Sequence, residues 1–297
     1  MKVLIIGGGA CGASAAARLR RLDDTAEILI LEQTEEISIA NCGLPYYCSN
    51  VINSEEKMHV SSVGKFKNLL NVDIRLGARV TSIDRLKKTV TVNDNEILSY
   101  DKLVLAPGAN PFKPDIKGID NPKIFTVRTL NDANMIKAHL KMSNAKEAVV
   151  IGGGFIGVEM AENFAELSGV NTTLVEAASH ILPPVDKETA FAHNEMRKHG
   201  INLILSDAVT EFGSNEIRLS SGRRIPYDIA VLAIGVKPET SLALACGIQT
   251  GKSGGIKVNK FMQTSDENIY AGGDSVEVEG FVTGEEILVP LAGPANR

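Results

Sequence analysis

The chain has 297 residues, of which 44% are hydrophobic and 23% charged, and its formal net charge is −5. This length accommodates two domains with ordinary cores, and the negative charge gives no electrostatic basis for binding nucleic acid or an anionic membrane. No apolar run approaches the ~20 residues of a membrane-spanning helix. Four cysteines are too few for a disulfide scaffold, so we predict a reducing, cytoplasmic setting.

The chain begins with a strand, a glycine turn and a helix of small residues. Residues Lys2–Ile6 (KVLII) predict a buried strand, because the apolar run is too short for a signal peptide. Ala13–Arg21 predicts a helix, and Ile28–Leu31 predicts a second strand that ends at Glu32. The glycines between the first strand and the helix have the spacing G-x-G-x-x-G and are Gly7, Gly9 and Gly12.

The same series returns in the second half of the chain. Ala148–Ile151 (AVVI) predicts a strand, Val158–Leu167 a helix, and Thr172–Val175 (TTLV) a strand that ends at Glu176. The intervening glycines are Gly152, Gly154 and Gly157. In both copies the acidic residue follows the third glycine by about 20 residues, as in dinucleotide-binding βαβ units.

Each part of this motif has a physical role in binding a dinucleotide. The first glycine permits a tight turn, the second lets the backbone approach a pyrophosphate, and the third lets helix and strand pack closely. The helix N-terminus offers unpaired N–H groups to the phosphates. The acid accepts hydrogen bonds from a ribose diol and disfavours a 2′-phosphate, so Glu176 predicts a preference for NADH. Glycine turns without ligand are the alternative, which two complete copies disfavour.

Further strands predict small β-meanders inserted into each unit. Two segments, Lys102–Pro111 and Val231–Thr240, combine an apolar strand, a glycine turn and a proline, and they predict domain boundaries near Pro111 and Pro238. The additional predicted strands are Thr89–Val92, Leu103–Leu105, Leu203–Leu205, Ile217–Leu219 and Ile229–Ala233.

The stretch SIANCGLPYYCSN contains two cysteines, Cys42 and Cys48. If a helix begins at Pro45, Cys48 lies two turns from Cys42, beyond the reach of a disulfide. We therefore predict that Cys48 is a helix core residue. Cys42 lies directly before this helix, and because a helix N-terminus lowers the pKa of a cysteine, it is the candidate redox thiol. A buried structural role for Cys42, and a resolving role for Cys48, are the alternatives. No redox role is predicted for Cys11 and Cys246.

With both glycine motifs, the turn Ala106–Gly108 (APG) and the run Asn268–Ser275 (NIYAGGDS), the chain resembles the FAD-dependent pyridine nucleotide–disulfide oxidoreductases over essentially all its length. The resemblance implies an α/β fold with two Rossmann-like dinucleotide-binding domains. It implies a FAD domain formed by residues 1–111 and 239–297, and an NAD(P)H domain formed by residues 112–238.

The resemblance also implies roles for individual cofactor-binding residues. Asp274 would bond the ribityl chain of FAD, Phe155 would cover the flavin when nicotinamide is absent, and Glu159 would lie near the nicotinamide carboxamide. A core aromatic and a solvated helix glutamate are the alternatives for Phe155 and Glu159. In the first domain the implied residues are Gly7, Gly9, Ala10, Gly12, Glu32, Gln33, Asn41, Val80, Ala106, Pro107, Gly108, Gly273, Asp274, Leu291 and Ala292. In the second they are Gly152, Gly154, Phe155, Ile156, Gly157, Glu159, Glu176 and Gly235.

Within the family, the cysteine stretch distinguishes between branches. Glutathione-reductase-like members carry a C-x4-C pair, whereas this chain has C-x5-C. The pattern S-x-x-N-C-G-L-P-Y-Y instead resembles the single-cysteine branch of coenzyme A–disulfide reductases and NADH-dependent persulfide reductases. The resemblance implies Cys42 as the catalytic residue and implies a substrate-binding role for Arg20, Arg21, Ser38 and Asn41.

The implied activity is NAD(P)H-dependent reduction of coenzyme A disulfide or a persulfide through Cys42. An NADH oxidase that uses a Cys42 sulfenic acid is the alternative, although the peroxidases and many oxidases carry a histidine where this chain has Ala10. The family continues into a C-terminal dimerisation domain, and some relatives into a rhodanese domain. We therefore expect a homodimer for the full-length protein and consider a truncated FAD/NAD-binding fragment without disulfide turnover as a third possibility. No metal site is predicted at His59, His139, His180, His193 or His199.

Overall fold

The computed structural model describes residues 1–183, 185, 191–282 and 284–296. In chain order its helices are α1 (Ala10–Leu22), α2 (Leu44–Cys48), α3 (Val63–Leu70), α4 (Leu130–Ser143), α5 (Phe155–Ala165), α6 (Phe191–Lys198), α7 (Ser241–Ala245) and α8 (Ala292–Ala295). Its strands are β1 (Lys2–Ile6), β2 (Glu27–Leu31), β3 (Asp73–Arg75), β4 (Val80–Asp84), β5 (Thr89–Val92), β6 (Glu96–Ser99), β7 (Lys102–Leu105), β8 (Ala109–Pro111), β9 (Ile124–Phe125), β10 (Glu147–Ile151), β11 (Asn171–Val175), β12 (Asn202–Ile204), β13 (Val209–Phe212), β14 (Glu216–Leu219), β15 (Arg224–Pro226), β16 (Ile229–Leu232), β17 (Val236–Pro238), β18 (Ile256–Lys257), β19 (Ile269–Ala271), β20 (Val276–Glu279) and β21 (Glu286–Leu288).

The chain forms two compact units. Unit 1 comprises Met1–Ile39, His59–Asn110 and Lys237–Arg297, and unit 2 comprises Ala40–Met58 and Pro111–Val236. The outer boundaries lie within two residues of Pro111 and Pro238. The segment 40–58 differs from the predicted division, because it groups with unit 2 rather than with the first domain. The reason is that α2 packs against α4 and α5.

Unit 1 is built on a parallel sheet with the strand order β19-β7-β1-β2-β3. Alternate residues of its strands reach opposite faces. Ile5 and Ile30 pack with α1 and α3, whereas Leu4 and Leu29 pack with the antiparallel meander β4-β5-β6. Both faces are covered, which explains why β1 and β2 are continuous apolar runs.

Unit 2 repeats this arrangement with a parallel sheet in the order β12-β11-β10-β16-β9. The antiparallel meander β13-β14-β15 contributes Phe212, Ile217 and Tyr227, with its flanking residues, to the core under this sheet. The predicted α/β class with two Rossmann-like units and inserted meanders is therefore confirmed.

Two local differences from the sequence prediction bear on the site. Helices α1 and α5 begin directly after Gly9 and Gly154, three residues before the predicted starts, because these glycines act as N-caps. The patterns also did not predict α4, whose N-terminus has a capping box formed by Thr129 and Asp132. Within the described residues, no helix combines the length and apolar character needed to cross a bilayer.

Candidate dinucleotide sites and redox thiol

In the glycine turn of unit 1, packing requires glycine at the first and third positions, whereas the second position faces open space. Gly7 has φ +100°, and a Cβ there would lie 2.2 Å from the carbonyl oxygen of Ala106. A Cβ on Gly12 would lie 1.9 Å from the oxygen of Gly7, so only hydrogen fits between helix and strand. Gly9 has no neighbouring atom within 4 Å of its would-be Cβ, and no side chain caps α1. This open, uncapped helix end fits a pyrophosphate.

Glu32 completes this site at the end of β2. Its carboxylate accepts hydrogen bonds from the N–H of Gly8 at 2.7 Å and from the N–H of Thr34 at 2.8 Å. These bonds hold the half-buried carboxylate beside the glycine turn. Oε1 also accepts from the hydroxyl of Thr34 at 2.9 Å, whereas Oε2 has a second lone pair, which is the acceptor a ribose hydroxyl requires.

Unit 2 repeats the geometry. Gly152 has φ +102°, a Cβ on Gly157 would lie 1.8 Å from the oxygen of Gly152, and Gly154 again faces open space. Glu176 is 9% exposed, and its carboxylate accepts from the N–H of Gly153 at 2.5 Å and of Ala178 at 2.7 Å. The residues of each unit therefore fit one dinucleotide.

The other predicted residues of unit 1 are brought to the same helix end from distant parts of the chain. A Cβ on Gly272 would meet Sγ of Cys11 at 2.7 Å, so the Ala-Gly-Gly-Asp run lies against the first turn of α1. Burial, with a smaller contribution from Asp274, raises the pKa of the Cys11 thiol to about 11. Cys11 is therefore protonated at neutral pH and packs as a small side chain, in agreement with the absence of a predicted redox role.

The C-terminal predicted residues also reach α1. The hydroxyl of Ser14 on α1 donates to Oδ1 of Asn296, which ties α8 to this helix. Leu291 and Ala292, at the start of α8, are exposed. The remaining predicted residues of unit 1 are the exposed Gln33 and Ala10, the half-buried Pro107 and Gly108, and the buried Val80 and Ala106.

In unit 2, two large apolar side chains stand in solvent at the start of α5. Phe155 is 57% exposed and Ile156 is 40% exposed, so the structure does not place Phe155 in the core. Gly235 is also exposed, with φ +113°. One turn along α5, burial and then the neighbouring Glu162 raise the pKa of Glu159. Apolar surface and a desolvated acid therefore lie at the uncapped end of this helix.

The thiol of Cys42 is exposed, while the other three cysteines are partly or fully buried, and all four are free. Cys42 lies in the 3-10 turn Asn41–Gly43, directly before α2, and Pro45 occupies the first turn of α2. Cys48 is 1% exposed, and burial raises the pKa of its thiol to about 12. Cys48 is therefore a helix core residue, whereas Cys42 is available to a substrate.

Side chains that the sequence patterns did not identify hold α2 in unit 2. The hydroxyl of Tyr47 donates to Oδ1 of Asn134 on α4 at 2.9 Å. After the end of α2, the hydroxyl of Ser49 donates to Oδ1 of Asn163 on α5 at 2.6 Å. Asn163 is 2% exposed, and a polar side chain inside a helix is the signal that identifies it once the fold is known.

Comparison with known proteins agrees with this geometry. The family model described as "Pyridine nucleotide-disulphide oxidoreductase" matches residues 1–287. The chain belongs to this family. A protein of Pyrococcus horikoshii named NAD(P)H coenzyme A polysulfide/persulfide reductase is 35% identical over 100% of this chain and 67% of its own length. A Methanocaldococcus jannaschii protein named NADH oxidase is 35% identical over 100% of this chain and 68% of its own length.

A solved structure is also similar to this chain. The crystal structure of reduced Bacillus anthracis CoADR-RHD is 46% identical, with a TM-score of 0.96, over 99% of this chain and 54% of that chain. The chain thus spans about two thirds of the curated relatives and about half of this solved chain. The family resemblance drawn from the sequence is confirmed.

The predicted substrate-binding role of Arg20 requires correction. The Arg20 guanidinium donates to five backbone carbonyls, those of Asp23, Asp24, Ala26, Leu70 and Asn71. All five of its N–H donors are used, so it has none left for a phosphate. The neighbouring Arg21 is exposed, and its substrate-binding role stays a prediction.

The other predicted substrate residues lie on either side of the division between the units. Ser38 belongs to unit 1 and is half-buried with φ +54°, whereas Asn41 belongs to unit 2 and is exposed. Their roles stay predictions.

Proposed function

We propose that this chain is the catalytic core of an NAD(P)H-dependent flavoprotein that reduces coenzyme A disulfide or a persulfide through Cys42. The observation that carries the proposal is the exposed Cys42 thiol directly before α2, in the same unit as the second glycine turn. The name of the Pyrococcus horikoshii relative supports coenzyme A and persulfide as the substrate class.

We assign FAD to unit 1 and NAD(P)H to unit 2. The uncapped N-terminus of α1 binds the FAD pyrophosphate through backbone N–H groups made accessible by Gly9, and Glu32 accepts from the ribose. Gly154, α5 and Glu176 do the same for NAD(P)H. Bound FAD supplies the transfer of two electrons from NAD(P)H to a disulfide.

The chemistry assigned to this chain's own residues is thiol–disulfide exchange at Cys42. The Cys42 thiolate attacks one sulfur of R–S–S–R′, the S–S bond breaks, and R′–S⁻ leaves and takes up a proton. The resulting Cys42–S–S–R bond is reduced by the two electrons that originate from NAD(P)H, which releases R–S⁻ and restores the Cys42 thiolate. One disulfide, one NAD(P)H and one proton therefore give two thiols and one NAD(P)⁺.

The coenzyme preference is a testable consequence of Glu176. A carboxylate held by Gly153 and Ala178 repels a 2′-phosphate, so kcat/KM is expected to be higher for NADH than for NADPH. Glu176→Ala removes the repulsion and is expected to narrow the NADH/NADPH ratio of kcat/KM by about tenfold, which corresponds to about 1.4 kcal/mol. Steady-state kinetics with both coenzymes measure this, and a wild-type preference for NADPH would contradict it.

The proposed function is tested by a non-reducing peptide mass map combined with turnover of coenzyme A disulfide. A coenzyme A adduct on Cys42 that NADH removes is expected, together with loss of turnover in Cys42→Ser. Cys246→Ser, which changes a half-buried cysteine in unit 1, is the matched control and is expected to keep its activity. Undiminished turnover in Cys42→Ser would exclude the proposal.

An NADH oxidase is the second candidate, favoured by the name of the Methanocaldococcus jannaschii relative. Here oxygen is reduced by NADH to hydrogen peroxide, which oxidises the Cys42 thiolate to a sulfenic acid with release of hydroxide. A second NADH reduces the sulfenic acid back to the thiolate with release of water. Oxygen uptake with NADH and no added disulfide distinguishes the two activities. A singly oxygenated Cys42 in the mass map, with fast oxygen uptake, would favour the oxidase.

We further propose that the partner of the protein is a small-molecule disulfide or persulfide, rather than nucleic acid or a membrane. The net charge of −5 and the four free cysteines support a protein of the reducing cytoplasm. The family resemblance supports a homodimer for the full-length protein, and light scattering of that protein tests this.

A further inference from the structure

Helix α2, which follows Cys42, makes polar contacts with α4 of the same unit. Tyr47 is 6% exposed, and its hydroxyl donates to Asn134 on α4. The Nζ atom of Lys137, one turn later on α4, lies 3.7 Å from the centroid of the Tyr47 ring. The ring is therefore held at its face by a cation and at its hydroxyl by an amide.

Asn134 is itself fixed by a second contact. Its Nδ2 atom donates to Oε2 of Glu55 at 3.2 Å, so its Oδ1 atom is turned toward Tyr47. The amide orientation is thus set by a donor bond on one side and an acceptor bond on the other. Because Asn134 lies within α4, it provides a rigid point for the hydroxyl.

Movement of Tyr47 is transmitted to Cys42 because the backbone between them is a continuous helical turn. The 3-10 turn Asn41–Gly43 leads directly into α2, and the N–H of Gly43 donates to the oxygen of Ala40. The back of this turn is packed, because a Cβ on Gly43 would lie 3.1 Å from Ile52 and 3.2 Å from Met58. Asn41 and Cys42 of this turn are exposed, whereas Gly43 is half-buried.

We infer that Tyr47, held by Asn134, is a positioning residue for the Cys42 thiol. The inference rests on the proposed function, since it assigns Tyr47 a part in the disulfide step alone. Loss of the hydroxyl bond lets α2 shift on α4 and spreads the Cys42 thiol over more orientations. A small misplacement of a reacting group lowers the rate of its reaction, whereas the glycine turns of the two units are unaffected.

The experiment compares Tyr47→Phe with a matched control, Tyr227→Phe. Tyr227 is also buried in unit 2, its hydroxyl donates to the oxygen of Gly213 at 2.8 Å, and Lys123 lies 5.6 Å from its ring centroid. Each substitution removes one hydrogen bond donated by a tyrosine hydroxyl and keeps the aromatic ring. A purely structural role affects both variants equally.

Three rates are measured in the flavin-loaded protein, one of which is its reduction by NADH. The first is alkylation of Cys42 by iodoacetamide, followed by mass spectrometry. The second is the reaction of the NADH-reduced protein with coenzyme A disulfide, measured separately from reduction by NADH. In Tyr47→Phe we expect Cys42 alkylation and the disulfide step to slow by about fivefold, the value of one hydrogen bond. The reduction by NADH is expected to be unchanged, and Tyr227→Phe is expected to match the wild type in all three rates.

The outcomes separate the inference from the proposed function. Unchanged alkylation and disulfide rates in Tyr47→Phe, or an equal decrease in Tyr227→Phe, would overturn the inference. If Tyr47→Phe does not fold, Asn134→Ala removes the same acceptor and is judged by the same criteria. Full disulfide turnover in Cys42→Ser would overturn the proposed function, while the alkylation rates would still decide whether Tyr47 positions the thiol.

Discussion

At the scale of single residues, the adjacent Arg20 and Arg21 have different surroundings, since Arg20 donates to backbone carbonyls and Arg21 is exposed. Arg20 → Lys keeps the charge but removes the planar fork that reaches five carbonyls. We expect the free energy of unfolding to fall by about 1.5–3 kcal/mol, the value of hydrogen bonds to a charged group. Urea unfolding measures this, and Arg21→Lys is the control because Arg21 is exposed. Equal stability in both variants would contradict the structural role of Arg20.

The raised pKa of Glu159 gives a prediction for the pH dependence of stability. Burial and Glu162 raise this pKa, so the folded state favours the protonated carboxyl. The stability it contributes is present below the unfolded pKa of about 4.3 and is lost as pH rises through the higher folded pKa. Glu159→Gln is therefore expected to raise the melting temperature at neutral pH and to leave it unchanged near pH 4. Thermal melts across this range test it, and destabilisation at neutral pH would contradict it.

At the scale of elements, two glycines in the turn of unit 2 are expected to differ, with Gly157 needed for stability and Gly154 for binding. Gly157→Ala places a Cβ 1.8 Å from a backbone oxygen and is expected to destabilise by about 3 kcal/mol or more. Gly154→Ala meets no atom within 4 Å and has φ −73°, so it is expected to cost at most about 1 kcal/mol. In the proposed NAD(P)H site its methyl group would lie in the path of the pyrophosphate, so NADH affinity is expected to fall.

Fluorescence titration with NADH and urea unfolding distinguish the two glycine variants. A Gly154→Ala protein that binds NADH as tightly as the wild type would contradict the pyrophosphate site proposed at the start of α5. A Gly157→Ala protein of wild-type stability would contradict the close packing of α5 on the glycine turn.

At the scale of the whole molecule, the assignment of FAD to unit 1 and NAD(P)H to unit 2 is tested by removing the flavin. Ligands stabilise the state that binds them, by about 2.7 kcal/mol at a concentration 100 times Kd. Removal of FAD is expected to speed hydrogen exchange in residues 7–12 and 272–274, and NAD⁺ is expected to protect residues 152–157. Protection of residues 152–157 by FAD would reverse the assignment.

Much of this protein was determined by local sequence alone. Gly7, Gly12, Gly152 and Gly157 identify their turns because no other side chain fits beside the backbone atoms they meet. The apolar strands and their terminal acids identify two parallel sheets, since a strand buried on both faces has no polar alternation. Pro45 indicated the start of the helix that follows Cys42, because proline fits the first turn of a helix.

Only the tertiary structure decided which distant groups each side chain meets. Arg20 binds carbonyls up to 51 residues away, and the grouping of α2 with unit 2 depends on α4 and Asn163. Tyr47 and Asn134 are 87 residues apart, so no periodicity or spacing relates them. Local propensity records the conformation of a segment, whereas hydrogen-bond partners and desolvation are set by chain folding.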